Sequence, residues 1–250
     1  MSRELKNNLS VVIMAAGKGT RMNSELPKVL HKLSGDTLLN HVIGTSHALD
    51  PKNIVVIIGY KSSLVKKSVK FSDVLFSYQR EQHGTGHAVM QAKEHLEKFI
   101  GNTLVLSGDV PLIQKSTLIS LLEKQERGNF DACMLTADLE NPDGYGRVIR
   151  DSSGNLEKVK EQRDCRGEEL ELKEINTGIY VFNNERLFDL LPMLDNSNAQ
   201  SEYYLPDVLS LLINNHGKIG LEKTKNIVEI QGVNTVEQLT YLGENFEENS

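Results

Sequence analysis

Three segments carry residues whose types and spacing suit phosphate chemistry. The first runs Ala15-Ala16-Gly17-Lys18-Gly19-Thr20-Arg21-Met22 and is followed by Pro27-Lys28. Glycines at 17 and 19 let a backbone turn tightly and present its N–H groups, and such a concavity of amides favours anions. Lys18, Arg21 and Lys28 add positive charge beside it. Two common phosphate loops fail on spacing: a dinucleotide fingerprint needs a third glycine where Met22 stands, and no GxxxxGK[ST] occurs. The second segment is Ser107-Gly108-Asp109-Val110-Pro111. A carboxylate there is placed to hold Mg²⁺, which takes one or two carboxylates plus substrate phosphates; an ordinary turn aspartate has the same pattern. The third is Gln79-Arg80-Glu81-Gln82-His83-Gly84-Thr85-Gly86-His87-Ala88. Its glycines and Thr85 could read a base through backbone groups, with Gln79 offering a paired donor and acceptor. His83 and His87 have the spacing of a zinc pair, but no HExxH or third ligand accompanies them.

Further polar clusters follow at Gly144-Tyr145-Gly146-Arg147, Glu161, Glu174-Ile175-Asn176-Thr177-Gly178-Ile179, Asn198–Tyr204 and Gly232-Val233-Asn234. Side-chain amides and carboxylates at strand edges are what a sugar's hydroxyls require. Each alone is equally a turn, and their weight lies in their number.

The elements that must position these groups alternate in the first half. Apolar, β-branched runs at Ser10–Ala16, Ile54–Ile58, Val74–Tyr78 and Leu104–Ser107 predict strands. Helical spacing around Leu38–Leu49, Ser62–Val69, Gly86–Phe99 and Ser116–Arg127 lies between them. Continuous apolar strands predict burial on both faces, hence a mostly parallel central sheet flanked by helices, with ligands at the carboxyl ends of its strands. After Cys133 the alternation loosens. Strands are expected at Tyr145–Ile149, Leu156–Lys160, Ile175–Phe182, Lys218–Lys223 and Ile227–Gln231, a surface excursion at Arg163–Glu174, helices at Tyr203–Asn214 and Val236–Phe246, and a frayed acidic tail from Gly243. The expectation is α/β, one domain over residues 1–250, with a mixed-sheet elaboration.

Composition excludes several classes. The chain has 250 residues, 39% apolar and 25% charged, which is ordinary for a globular protein. A net charge of −6 argues against a general nucleic-acid binder. Two distant cysteines, Cys133 and Cys165, argue against a disulfide framework and for a reducing, cytoplasmic setting. No apolar run approaches the ~20 residues of a spanning helix, so no membrane partner is expected.

Taken together, Ala-Ala-Gly-Lys-Gly-Thr-Arg-Met, Leu26-Pro27-Lys28-Val29-Leu30-His31, Gly84-Thr85-Gly86-His87-Ala88, Gly108-Asp109-Val110-Pro111-Leu112, Asn141-Pro142-Asp143-Gly144-Tyr145-Gly146-Arg147, Glu174–Ile179 and Glu202-Tyr203-Tyr204-Leu205 resemble the sugar-nucleotidyltransferase superfamily. The finer resemblance, from Val11 to Asn234, is to its bacterial branch that uridylylates N-acetylglucosamine 1-phosphate. That resemblance implies a Rossmann-like nucleotidyltransferase fold and Mg²⁺-dependent formation of UDP-N-acetylglucosamine, a precursor of peptidoglycan and lipopolysaccharide. Carried over residue by residue, Ala15, Ala16 and Gly17 would line UTP, and Gln79, Gly84 and Thr85 would read uracil. Arg21 and Lys28 would neutralise phosphates, and Asp109 and Asn234 would hold Mg²⁺. Gly146, Glu161, Asn176 and Tyr204, with Asn234, would hold the sugar.

The chain departs from the pattern at Ser107, where an aromatic is usual, at Pro206, where threonine is usual, and at His83, where leucine is usual. The branch's second half, a left-handed β-helix of hexapeptide repeats that acetylates glucosamine 1-phosphate, has no counterpart here. A monomer or weak oligomer is therefore expected. The alternatives are a sister nucleotidyltransferase for another sugar or base, and a nucleotide-sugar-binding module without turnover. A nicotinamide dehydrogenase is weakened by the missing third glycine.

Overall fold

The computed structural model describes residues 8–22 and 24–246. The strands are β1 (Leu9–Ala15), β2 (Lys32–Leu33), β3 (Asp36–Thr37), β4 (Asn53–Ile58), β5 (Leu75–Tyr78), β6 (Asn102–Ser107), β7 (Ala132–Asp138), β8 (Gly146–Arg150), β9 (Leu156–Lys160), β10 (Glu174–Asn183) and β11 (Ile219–Lys223). The helices are α1 (Leu38–His47), α2 (Ser62–Ser68), α3 (Thr85–Met90), α4 (Lys93–Leu96), α5 (Lys115–Gly128), α6 (Asn184–Leu190), α7 (Asp207–Asn214) and α8 (Val236–Phe246).

One nine-stranded sheet carries the fold, in the order β11-β7-β10-β6-β1-β4-β5, with β8 on β10 and β9 on β8. β1 pairs in parallel with both β4 and β6, so the chain leaves β1 to one side and later returns to the other. The carboxyl ends of β1 and β6 therefore flank a topological switch point, where open α/β sheets bind ligands. β10 runs against β6, β7 and β8, which makes the sheet mixed. Its register slips between Asn176 and Tyr180, and beyond Tyr180↔Val105 it no longer pairs with β6. The sheet forks there, beside Ser107.

Alternation along the strands explains the core. Val11 and Ile13 pack on one face with Val56 and Leu106, whereas Val12 packs on the other with Val55, Ile57 and Val105. Both faces are apolar, as the continuous runs require. A third cluster, Met22, Leu33, Leu38, Val233 and Leu242, seats α8 and the strand pair β2–β3 beneath the glycine-rich loop.

The structure corrects several expectations. The helix expected over Gly86–Phe99 is two, α3 and α4. Gln91 and Ala92 donate their N–H groups three residues back, and the Gln91 side chain donates to the His87 carbonyl, interrupting the α ladder. The strand expected at Ile227–Gln231 is a 3-10 turn over Val228–Ile230. Consecutive Glu229 and Ile230 are both buried, which a strand exposed on one face cannot provide. β7 and α6 lay outside the expected elements; β7 is Ala-Cys-Met-Leu-Thr-Ala-Asp, a poor strand composition that burial overrides. The helix expected from Tyr203 begins at Asp207, and residues 243–246, expected to fray, belong to α8. The rest of that tail, 247–250, lies outside the described residues. Among the described residues no helix is long and apolar enough to cross a membrane.

Asn184 ties this frame together. Fully buried, it donates to the carbonyls of Leu96 and Phe99, both at 2.8 Å, and accepts from the Thr103 hydroxyl at 2.7 Å. Asn184→Ala leaves these groups unpartnered and should cost about 2–4 kcal/mol in urea unfolding. A loss below about 0.5 kcal/mol, the level of a surface change, would contradict that role.

Candidate active site

The loop after β1 crosses the carboxyl end of the sheet and returns through Lys28. Gly19 has φ +69°, and a Cβ there would overlap the Lys28 side chain, so this crossing requires glycine. The return brings the Lys28 ammonium into contact with Asp109 Oδ2 and within 3.0 Å of Asn234 Oδ1. Arg21 donates to the same Asn234 oxygen at 2.9 Å, and Ser107 donates to Asp109 Oδ1 at 2.6 Å. Burial pushes the Asp109 carboxyl up, but the Lys28 charge and hydrogen bond, with the Ser107 hydroxyl, outweigh it and hold the group below the ordinary range.

Four of the expected residues thus converge. Lys18 does not join them: it is exposed, and its Nζ lies 5.6 Å from the Tyr60 ring centroid. The ammonium of Lys28 sits between a carboxylate and an amide oxygen, as a stand-in cation. That donor pair fits a hard divalent ion that takes its other ligands from phosphates. Among the described residues no group of three or more His, Cys, Asp or Glu is placed to hold a metal, so His83 and His87 have no third such ligand beside them.

Two cavities share the Ser107–Asp109 wall. One, of about 240 Å³, is lined by Ala15, Ala16, Gly17, Gln79, Gly84 and Thr85 among others, which brings together every residue expected to contact the nucleotide. Gly84, at φ +104°, passes so close to the Tyr203 carbonyl (2.6 Å from an added Cβ) that only glycine fits. The Thr85 hydroxyl accepts from Leu205 N–H at 2.9 Å and so fixes the floor of this cavity. The other cavity, of about 250 Å³, is lined by Arg21, Asp143, Gly144, Tyr145, Gly178 and Asn234 among others, at the fork between β6 and β10. Sequence analysis placed Gly144 and Tyr145 in a polar cluster and Asn141–Arg147 among the resembling motifs, but gave Asp143, Gly144 and Tyr145 no site role; the structure puts them in this wall.

The expected sugar-binding residues gather elsewhere. A Cβ on Gly146 would lie 3.4 Å from Glu161 Oε1 and 3.5 Å from Asn176 Cβ, so these three meet. Asn176 Oδ1 is taken by Gly178 N–H at 3.0 Å and the Tyr180 hydroxyl at 2.7 Å. The Tyr204 hydroxyl is buried beside Asp164 and Glu161, which raise it further after burial. None of Gly146, Glu161, Asn176 and Tyr204 lines either of the two cavities, and only Asn234 of the expected sugar set does.

Solved structures show the same fold. The inositol-1-phosphate CTP transferase from T. maritima is 14% identical, covers 96% of this chain and 95% of its own, and superposes with a TM-score of 0.74. A UDP-glucose pyrophosphorylase complexed with UDP-glucose, also 14% identical, covers 97% of this chain and all of its own with a TM-score of 0.78. The fold is the nucleotidyltransferase fold, with a mostly parallel sheet flanked by helices. The chain belongs to the nucleotidyl transferase family, which matches residues 10–224. It is 45% identical over 234 residues to the bifunctional protein GlmU of Prochlorococcus marinus, covering 93% of this chain and 51% of that protein. It is 47% identical over 223 residues to GlmU of Streptococcus thermophilus, covering 89% and 48%. The chain thus spans about half the length of these curated relatives.

Burial pushes the Glu161 carboxyl up from 4.5 to about 7, with Asp207, Asp164 and Glu202 adding like charge. Between those values the folded chain keeps a proton that the unfolded chain has lost, so this group lowers stability as pH rises through the window. Glu161→Gln should therefore gain in thermal midpoint over the parent at pH 8 and lose that gain at pH 4.5. Parallel pH profiles for the two proteins would refute it.

Proposed function

We propose that this chain transfers the uridylyl group of UTP to N-acetylglucosamine 1-phosphate, forming UDP-N-acetylglucosamine and pyrophosphate. The carrying observation is the hydrogen-bonded chain of Arg21, Asn234, Lys28 and Asp109, which meets the wall shared by two cavities at Asp109. A transfer between two phosphorylated substrates needs such a wall. The motif resemblance and the identity to GlmU proteins support the choice of base and sugar.

In this reading the nucleotide lies in the cavity of Ala15, Ala16, Gly17, Gln79, Gly84 and Thr85, with its triphosphate on the glycine-rich loop. An oxygen of the sugar phosphate attacks the α-phosphorus in line, the bond from that phosphorus to the β-phosphate bridging oxygen breaks, and pyrophosphate leaves. The nucleophile is already anionic, so no general base is required. Arg21 and Lys28 neutralise the charge that accumulates on phosphate oxygens, and positioning supplies the rest. Asp109 and Asn234 would hold Mg²⁺, which when bound would supply positive charge against the phosphate oxygens. The sugar phosphate takes the second cavity beside Arg21 and Asn234, and the motif resemblance assigns the N-acetylglucosamine ring to Gly146, Glu161, Asn176 and Tyr204, which lie off both cavities. The chain acts in this reading as a uridylyltransferase domain in the cytoplasm, with no nucleic-acid or membrane partner.

Pyrophosphate release, measured with Mg²⁺ across four nucleoside triphosphates and several sugar 1-phosphates, tests this reading. One strong response, at UTP with N-acetylglucosamine 1-phosphate, is expected; chelation should abolish it and added Mg²⁺ restore it. A strong response elsewhere on the grid would overturn the substrate assignment, and silence throughout with retained UTP binding would overturn turnover itself. Lys28→Ala should lower kcat on the order of 100-fold, with a smaller change in uridine affinity. An affinity loss alone would remove Lys28 from the phosphates.

A further inference from the structure

We propose that His87 is a specificity-determining positioning residue: its Nδ1 and the Gly84 carbonyl together take both N–H groups of the Gln79 amide, which turns Oε1 toward the cavity as an acceptor for the N3–H of a uracil-type base. The proposal rests on the uridylyl reading above.

Gln79 is 3% exposed, follows β5 and lines the cavity of Gly84 and Thr85. Its Nε2 donates to the Gly84 carbonyl at 3.0 Å and lies 3.1 Å from His87 Nδ1. A carbonyl can only accept, so the nitrogen of this amide must face Gly84. The second N–H then meets His87, whose Nδ1 must be the unprotonated nitrogen. With both donors engaged, Oε1 is the polar atom that remains, and it makes no hydrogen bond to another described residue. The amide is locked in one of its two orientations. Uracil presents a donor at N3, cytosine an acceptor, so a fixed acceptor favours the first and meets the second with two lone pairs opposed. A site built this way rejects the mismatched base because its buried group is left unpaired.

The surroundings keep His87 in the form this requires. Its ring centroid lies 5.2 Å from that of His83 and 6.4 Å from that of Tyr203. Burial, then His83, lowers the imidazole below its ordinary 6.5, while the Glu81 carbonyl and carboxylate pull the other way. The neutral ring dominates at pH 7.5, and an acceptor at Nδ1 places its proton on Nε2.

The test compares kcat/KM for UTP and for CTP, each with N-acetylglucosamine 1-phosphate, in the parent, His87→Leu and His87→Asn. Leucine removes one of the two acceptors that hold the amide, leaving the Gly84 carbonyl alone to resist its turning, and the UTP-to-CTP ratio should fall about tenfold. Asparagine can place its Oδ1 where Nδ1 stood and should keep the ratio within about twofold of the parent. Equal loss on both nucleotides in His87→Leu, or equal loss of discrimination in both variants, would overturn the proposal. Should the leucine variant fail to fold, the ¹⁵N spectrum of the parent at pH 7.5 still decides: an unprotonated Nδ1 is expected, and a protonated one overturns it. A parent enzyme that prefers another base would instead overturn the uridylyl reading, a result the variants play no part in.

Discussion

A carboxylate buried as deeply as Asp109 must be paired, because an isolated charge out of water is among the most expensive things a fold can contain. Lys28 supplies the pair, and Asn234 closes it from 206 positions further along the chain. Much of the architecture around the site follows from keeping these groups together. The glycine-rich loop must cross the sheet end to deliver Lys28, and the apolar cluster of Met22, Leu33, Leu38, Val233 and Leu242 holds that crossing against α8. Glu229, buried and accepting from Thr117 at 2.9 Å and Thr224 at 2.7 Å, pins the turn that leads into Gly232-Val233-Asn234. Val233 N–H then donates to the Asp109 carbonyl at 2.9 Å, which locks the two segments by backbone as well.

The second cavity depends on a break in the sheet. Where β10 slips past Asn176, the strand ceases to cover β6, and the space so opened is walled by Asp143, Gly144 and Tyr145. That loop is held from behind by Arg147, a fully buried arginine that donates to the carbonyls of Pro142 at 2.8 Å, of Tyr145, and of Leu170 at 3.3 Å. A guanidinium whose terminal nitrogens donate to carbonyls rather than to a carboxylate fixes backbone, which is what a rigid cavity wall needs. Preorganisation of this kind places charge before the reaction begins, and electrostatic catalysis depends on it.

Much of this was legible in the sequence. Continuous apolar runs such as Ile54–Ile58 predict buried parallel strands because nothing else in the chain reads that way, and β1, β4, β5 and β6 stand within two residues of expectation. Ala15, Ala16, Gly17, Lys28, Gln79, Gly84 and Thr85 line one cavity, because glycine positions and strand ends carry local geometry. What escaped the sequence depends on tertiary context. β7 is a strand by burial, not by composition, and Val228–Ile230 is a turn because Glu229 has partners inside the protein. Lys18 looks the same as Lys28 in sequence, yet only the return of the chain after Pro27 decides which ammonium reaches Asp109. Ser107, read as a departure, proves to donate to that same carboxylate. The sugar-side residues meet one another but lie off the two cavities, a placement that no spacing rule conveys.

Attack by a sugar phosphate oxygen at the α-phosphorus is tested most directly by following that oxygen. N-acetylglucosamine 1-phosphate labelled with oxygen-18 at its non-bridging phosphate oxygens is incubated with UTP, Mg²⁺ and the protein, and the products are read by ³¹P NMR. Label bridging the two phosphorus atoms of UDP-N-acetylglucosamine, with unlabelled pyrophosphate released, is the result predicted. Label appearing in pyrophosphate, or an unlabelled bridge in the nucleotide sugar, would contradict it.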